Sequence, residues 1–274
     1  MTIKHALKLG TNQIGNRDTV LFLTHITGKH SGHVLLNDEE EIDGNEFESL
    51  INRRKTGEPL QYIIGKWEFM GHEIITDNRA LIPRPETELL VEAAFNFVKT
   101  CNRPIKMLDL CTGTGCIAIA TASLAKENAI DISITAADIS HDALELAKNN
   151  ATALGFEKIE FIQSNLFENI KFNEFDIIIS NPPYIPSNEI EALDPVVRDH
   201  EPHLALDGGN DGMDLYRKII PKSLDILRPN GALFLEIGPI GVRDILTDAG
   251  FKDICLIEDY AGIPRILYGV KKYV

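Results

Sequence analysis

Met107-Leu108-Asp109-Leu110-Cys111-Thr112-Gly113-Thr114-Gly115 reads as a buried strand that leaves its sheet through two closely spaced glycines and enters a helix at Cys116. Glycine lets a backbone take torsions closed to other residues and come close to a ligand. The helix start beyond it offers unpaired N–H groups and positive potential. The same residues would serve equally as a plain strand-to-helix turn, so the surroundings decide. Short apolar runs alternate with helical patterns from here on. Strands are expected at 105–110, 132–137, 159–163, 175–180, 232–237, 253–257 and 265–269, with helices near 116–126, 141–153 and 214–227. This alternation predicts an α/β fold, a parallel sheet with helices on both faces. In such sheets ligands bind beyond the carboxyl ends of the strands.

Upstream, Pro83-Arg84-Pro85 is a stiff extended element, because each proline fixes its own φ and biases its predecessor away from helix. Glu86-Thr87-Glu88 then opens a helix to about Lys99, with its carboxylates near the positive end of the dipole. Residues 1 to about 57 read as short helices, with Leu21, Phe22 and Ile26, then Phe47, Leu50 and Ile51, at roughly helical spacing. Tyr62-Ile63-Ile64-Gly65 and His72-Glu73-Ile74-Ile75 are expected to be two strands of a hairpin turning near Met70-Gly71. The organisation that follows is a helical domain over 1–58, a β-hairpin linker over 59–76 and an α/β domain over 77–274.

The glycine loop is not a dinucleotide fingerprint of the usual length. Its third glycine position would be Ala118, and the segment fits better the shorter turn of S-adenosylmethionine enzymes. The next strand, Ile134-Thr135-Ala136-Ala137-Asp138, ends in a carboxylate able to accept from both hydroxyls of a ribose. The alternative for Asp138 is an N-cap on the following helix, a role Ser140 can fill instead.

Phe175-Asp176-Ile177-Ile178-Ile179-Ser180 runs directly into Asn181-Pro182-Pro183-Tyr184. Two prolines at a strand exit stiffen the backbone and remove two N–H donors, so carbonyls there can meet an outside donor without local competition. Asn181 adds a side-chain acceptor and Tyr184 a flat aromatic wall. Such a pair of acceptors suits a planar nitrogen carrying two hydrogens. Amide and aromatic amino nitrogens are poor nucleophiles because the lone pair is delocalised. Gripping both N–H hydrogens aims the nitrogen at an activated methyl and favours the geometry in which the lone pair leaves conjugation. A plain Asn-Pro-Pro turn is the bland alternative.

With Asn-Pro-Pro-Tyr and the Cys111–Gly115 loop together, the chain resembles a class I S-adenosylmethionine-dependent methyltransferase of the amino-group type. Ile82-Pro83-Arg84-Pro85-Glu86-Thr87-Glu88 resembles a motif of the bacterial release-factor glutamine methyltransferases (the HemK/PrmC family). So do Arg198-Asp199-His200-Glu201-Pro202-His203-Leu204-Ala205-Leu206 and the Gly208–Gly212 stretch. The resemblance covers almost the whole chain and implies a Rossmann-like α/β fold, a mostly parallel seven-stranded sheet, with a small N-terminal helical domain and a β-hairpin linker. It implies methyl transfer from S-adenosyl-L-methionine to the side-chain amide nitrogen of the glutamine in the Gly-Gly-Gln motif of peptide chain release factors, leaving S-adenosyl-L-homocysteine. It places cofactor contacts on Cys111, Thr112, Gly113, Thr114, Gly115, Asp138, Leu166 and Asn181. Substrate contacts fall on Asn181, Pro182, Pro183 and Tyr184, with Asn181, Pro182 and Tyr184 in catalytic roles. Cys111 stands where many relatives have glycine, and Leu166 where some have an aromatic residue. A ribosomal-protein glutamine enzyme and a nucleic-acid adenine-N6 enzyme share the same acceptor logic.

The 274 residues carry 27 Lys+Arg and 41 Asp+Glu, a net charge of −14. A surface this acidic repels phosphate backbones, and the only basic cluster is Arg53-Arg54-Lys55, so no direct nucleic-acid binding is expected. The four cysteines form no CxxC pair, and His200 and His203 find no third ligand at suitable spacing, so no metal is expected. No apolar run reaches the roughly 18 residues needed to cross a bilayer, and the opening residues lack the apolar core of a signal peptide. A cytoplasmic protein without a membrane partner is the expectation. Arg84 and Glu88 read either as part of a lid over the cofactor or as a helix start serving the dipole. Glu201 reads either as orienting a substrate loop or as pairing with Arg198. Residues 1–58, which hold no catalytic motif, are expected to dock the protein substrate.

Overall fold

Thr2 begins the first helix, its hydroxyl accepting from His5 N at 3.3 Å. The structure is a computed structural model that describes residues 1–171, 174–238 and 241–272. It divides into two compact units, Met1–Lys66 with Asp194–His200, and Trp67–Leu193 with Glu201–Val274. The first unit contains α1 (Ile3–Ile14), α2 (Asn16–Thr27), α3 (Ser31–Leu36), α4 (Gly44–Lys55) and α5 (Leu60–Ile64). α1 and α2 cross closely, since a Cβ on Gly10 would lie 2.6 Å from Thr19. Ile3, Phe22, Leu23, Phe47 and Ile51 are buried between the helices. Asp43 caps α4 by accepting from Asn45 N at 2.8 Å and Glu46 N at 3.2 Å.

The strand expected at Tyr62–Gly65 is instead part of helix α5. Pro59 supplies a φ of −56° just before it, and Gly65 closes it at φ 78° with its amide on Gln61 O at 2.9 Å. A three-residue apolar run satisfies either period. Here the proline in front and the left-handed glycine behind are the start and stop signals of a helix. The hairpin is shorter than expected. It comprises β1 (Lys66–Phe69) and β2 (His72–Ile75), turning through Met70 and Gly71 at φ 48° and 77°. Two successive positive φ values match the right-handed twist of the flanking strands.

The second unit continues with α6 (Pro85–Val98), β3 (Ile105–Leu110), α7 (Cys116–Glu127), β4 (Ile132–Asp138), α8 (His141–Leu154), β5 (Glu160–Gln163) and β6 (Phe175–Ser180). A single turn, α9 (Pro195–Arg198), belongs to the first unit. The second then closes with α10 (Asp214–Ile226), β7 (Leu227–Glu236), α11 (Val242–Ala249), β8 (Lys252–Glu258) and β9 (Pro264–Val270). The sheet has seven strands in the order β5-β4-β3-β6-β7-β9-β8, parallel from β5 to β7, with β9 antiparallel to both of its neighbours. All six residues of β6 are buried, as expected of a central strand covered on both faces.

Alternate residues of the strands feed two cores. Met107, Ile177, Ile179 and Phe234 pack with Leu90, Val91 and Ala94 of α6 and with Ile117 of α7. Leu108, Ile178, Leu233 and Leu235 pack with Tyr216 and Ile219 of α10 and with Val242 and Leu246 of α11. Helix α11 was not anticipated, and β7 starts earlier than expected. At the amino end of β6, Asp176 is held by Arg103, by Arg228 at 3.5 Å and by Lys106 N at 2.7 Å. Asn150 of α8 is fully buried. It accepts from Ile75 N at 2.7 Å and donates to Ile75 O at 3.1 Å and Thr114 O at 2.9 Å. One carboxamide thus ties β2 to the loop after β3.

Candidate active site

β3 delivers the glycine loop, and the loop is held rather than loose. Cys111 takes φ 60°, Gly113 54° and Gly115 80°. The first is a non-glycine residue in the left-handed region, a conformation that costs on the order of 1 kcal/mol. Gly115 is required where α7 meets α8, because a Cβ there would lie 3.0 Å from the Cβ of Ala147. Asp138, at the end of β4, accepts from Gly113 N at 2.9 Å through Oδ2 and from Ser140 N at 2.9 Å through Oδ1. Ser140 caps α8 by accepting from Ala143 N at 3.2 Å, so the cap is not the task of Asp138. Burial raises the Asp138 carboxyl above its ordinary value, and the amides of Ser140, Gly113 and Ile139 oppose that rise.

Cys111, Thr112, Gly113, Thr114, Asp138, Leu166, Asn181 and Pro183 line one cavity beyond the carboxyl ends of the strands, joined by Arg79, Arg84 and Thr87. Gly115, Pro182 and Tyr184 are not on its wall. Pro182 is buried at the exit of β6. Leu166 holds φ 52°, a second non-glycine residue in the left-handed region within this cavity.

Beside the Asn181 turn lies a buried polar chain. Asn181 Nδ2 donates to Thr87 Oγ1 at 3.2 Å, and the Thr87 hydroxyl donates to Glu236 Oε2 at 2.7 Å. The Tyr184 hydroxyl reaches Glu236 Oε1 at 3.4 Å, and the Tyr216 hydroxyl donates to the Glu236 carbonyl at 2.8 Å. Burial, with the nearby Glu236 charge, pushes the Tyr184 phenol up to about 12, so it stays protonated. Asp109 of β3 is fully buried, and its Oδ2 accepts from the Thr112 hydroxyl at 2.6 Å. Its Oδ1 has no hydrogen-bond partner of good geometry among the described residues. Burial pushes Asp109 up to about 7, tempered by the Thr112 hydroxyl and reinforced by Asp138.

Of the alternatives above, the structure does not form the pairing of Glu201 with Arg198. Glu201 is buried and pairs with Arg84, while also accepting from Ile82 N at 3.2 Å. Arg198 pairs with Asp199 instead, at 2.7 Å. Glu88 accepts from Met70 N at 2.9 Å and so secures the hairpin turn. Sequence reasoning had passed over Thr87, Asp109 and Glu236. Asp109 and Glu236 were findable by the rule that singled out Asp138, an acid near the carboxyl end of a buried strand. Thr87 offered no such signal.

The donor set fits S-adenosylmethionine. Asp138 suits the ribose hydroxyls, and the loop from Cys111 to Gly115 lets backbone approach a ligand.

Residues 86–209 match the family described as "Methyltransferase small domain", and residues 4–65 match "PrmC N-terminal domain". The chain is similar to the release factor glutamine methyltransferase of Clostridium acetobutylicum, 36% identical over 97% of this chain and 94% of that one. It is also similar to the release factor glutamine methyltransferase of Agrobacterium fabrum, 38% identical over 91% and 88% of the two chains. Among solved structures, a methyltransferase from Pyrococcus furiosus aligns with a TM-score of 0.51 at 19% identity, covering 74% of this chain and 90% of that one. A 16S rRNA methyltransferase of T. thermophilus, solved with AdoMet and guanosine, aligns with a TM-score of 0.55 at 17% identity, covering 76% and 50%. Both likenesses establish the α/β fold alone. Near-full-length similarity to the curated relatives establishes more: the chain belongs to the release factor glutamine methyltransferases, a family of S-adenosylmethionine-dependent enzymes.

Proposed function

We propose that this enzyme methylates N5 of the glutamine in the Gly-Gly-Gln motif of peptide chain release factors, using S-adenosylmethionine held by the Cys111–Gly115 loop, Asp138 and Leu166. The observation that carries this reading is the Asn181 carboxamide. It is fixed at the exit of β6 in the cavity that also contains Asp138 and the glycine loop. When bound, S-adenosylmethionine supplies a methyl group on a positively charged sulfur. Asn181 Oδ1 and a main-chain carbonyl of the Asn181–Pro183 turn each accept one hydrogen of the glutamine NH2, which fixes the nitrogen and helps its lone pair leave conjugation. Pro183 keeps the turn rigid and offers no competing N–H. Tyr184, protonated at neutral pH, supports the turn from behind. As the nitrogen becomes positive, the two carbonyl oxygens stabilise it, and its surplus proton leaves to water. No strong general base is needed before attack.

The decisive experiment combines purified enzyme, labelled S-adenosylmethionine and an intact bacterial release factor, and maps the label by mass spectrometry. The expected result is one methyl on the Gly-Gly-Gln glutamine, lost by on the order of 10²–10³-fold in kcat for Asn181→Ala. Preferential labelling of a ribosomal protein or of nucleic acid would overturn the substrate assignment.

Residues 1–58 dock the release factor in this reading, with 59–76 as linker and 77–274 as the catalytic part. Their lack of catalytic motifs supports it. A folded 76–274 protein is expected to bind S-adenosylmethionine normally while losing efficiency on intact release factor; equal efficiency would refute the docking role.

A further inference from the structure

We infer that Thr87, anchored by Glu236, is a positioning residue that fixes which end of the Asn181 carboxamide faces the methyl acceptor. The inference rests on the reading of Asn181 given above and deepens it. A carboxamide has an accepting end and a donating end of nearly equal size, so packing alone does not choose between its two orientations. Only one orientation is productive. With Oδ1 toward the acceptor, Asn181 receives an N–H hydrogen; with Nδ2 there, two donors confront each other and the grip is lost.

The choice follows from counting protons. A threonine hydroxyl has one hydrogen to donate. The Glu236 carboxylate takes it at 2.7 Å, while the Tyr184 hydroxyl lies 3.4 Å from the other carboxylate oxygen. With its proton committed, Thr87 Oγ1 can only accept from Asn181. Only Nδ2 can then face it, as it does at 3.2 Å, which turns Oδ1 away from Thr87. Thr87 and Glu236 are 3% and 2% exposed, so water does not compete for the bond between them. Thr87 comes from the first turn of α6 and Glu236 from the last residue of β7. The carboxylate therefore polarises the carboxamide from outside the Asn-Pro-Pro-Tyr turn.

Three proteins decide it: wild type, Thr87→Val, which keeps the shape without the hydroxyl, and Thr87→Ser, which keeps the hydroxyl. Each is assayed for kcat and KM on intact release factor, for S-adenosylmethionine Kd by calorimetry and for thermal unfolding. Thr87→Val should lose about tenfold in kcat, the effect of one lost charge-assisted hydrogen bond, with KM and cofactor Kd within about twofold. Thr87→Ser should restore kcat to within about twofold of wild type. A Thr87→Val enzyme with wild-type kcat overturns the inference. So does a loss that Thr87→Ser fails to restore, or one matched by an equal loss of cofactor affinity. If Thr87→Val does not fold, Thr87→Ala is compared with Thr87→Ser on the same terms. Failure of the functional reading is separate: there, wild type would not label the glutamine, or Asn181→Ala would retain transfer.

Discussion

Gly238 lies so close against Tyr184 that a Cβ at 238 would stand 2.3 Å from ring carbon Cδ2 and 2.7 Å from Cε2. The glycine lies two residues beyond Glu236, the last residue of β7, so the end of that strand sets both the seat of the tyrosine ring and the partner of its hydroxyl. Gly238→Ala should displace Tyr184 and the turn it belongs to. A shift of about 1 Å in a positioning element costs on the order of 10²-fold in rate. Single-turnover transfer should fall by that order while thermal unfolding moves little. Unchanged transfer would show that the ring position is irrelevant to the reaction.

Asp109 links the site to pH. Unfolded, its carboxyl titrates near 3.8; folded, burial pushes it up to about 7. Between those values the folded chain keeps a proton that the unfolded chain has released. Its stabilising contribution is complete below the lower value and is lost as pH rises through the upper one, by up to about 1.4 kcal/mol per pH unit. Asp109→Asn removes this dependence while leaving an oxygen for Thr112. Urea unfolding at several pH values from about 4 to 8 should give a flatter stability profile for the variant than for wild type. Parallel profiles would refute the shift.

Asn150 should matter more than its surface-helix position suggests. Asn150→Ala strips one acceptor and two donors from three backbone groups, one of them in the cofactor loop. The expected cost is about 2–3 kcal/mol. S-adenosylmethionine binding should weaken as well, because Thr114 loses its support. Calorimetric unfolding and titration measure the two effects separately.

The two cysteines at the loop should be chemically quiet despite their position. Burial, with the Asp138 charge, pushes the Cys111 thiol far above its ordinary value, and burial pushes Cys116 up to about 12. Thiolate, the reactive form, is therefore scarce at neutral pH. Iodoacetamide at pH 8, followed by peptide mapping, should leave both unlabelled in the native enzyme and label them after denaturation. Cys111 is half-buried on the cavity wall, so its rapid native labelling would contradict the raised thiol.

The sheet was legible because its strands are apolar runs closed by turn residues, and Ile105–Leu110 and Phe175–Ser180 coincide with β3 and β6. The Tyr62–Ile64 run reads as a strand because three apolar residues carry no period, and only Pro59 and Gly65 distinguish helix from strand. Asp138 was visible at the end of its run. Asp109 and Glu236 belong to buried strands where an acid interrupts the pattern, and the interruption went unused. Thr87 was invisible for a different reason. Its partners lie 94 and 149 residues away, so no local spacing encodes them. The left-handed torsions of Cys111 and Leu166 were hidden likewise, since side chains alone favour other conformations and the surrounding fold imposes these.

A short two-stranded ribbon such as Lys66–Ile75 ordinarily leaves an outer rim of unsatisfied amides and carbonyls that can template aggregation. On a strand, the N–H and C=O of one residue point to the same side, and at Ile75 both are taken by a single asparagine side chain. That side chain imitates a neighbouring strand for one residue. A peptide adding to that edge at Ile75 would have to displace the Asn150 side chain first.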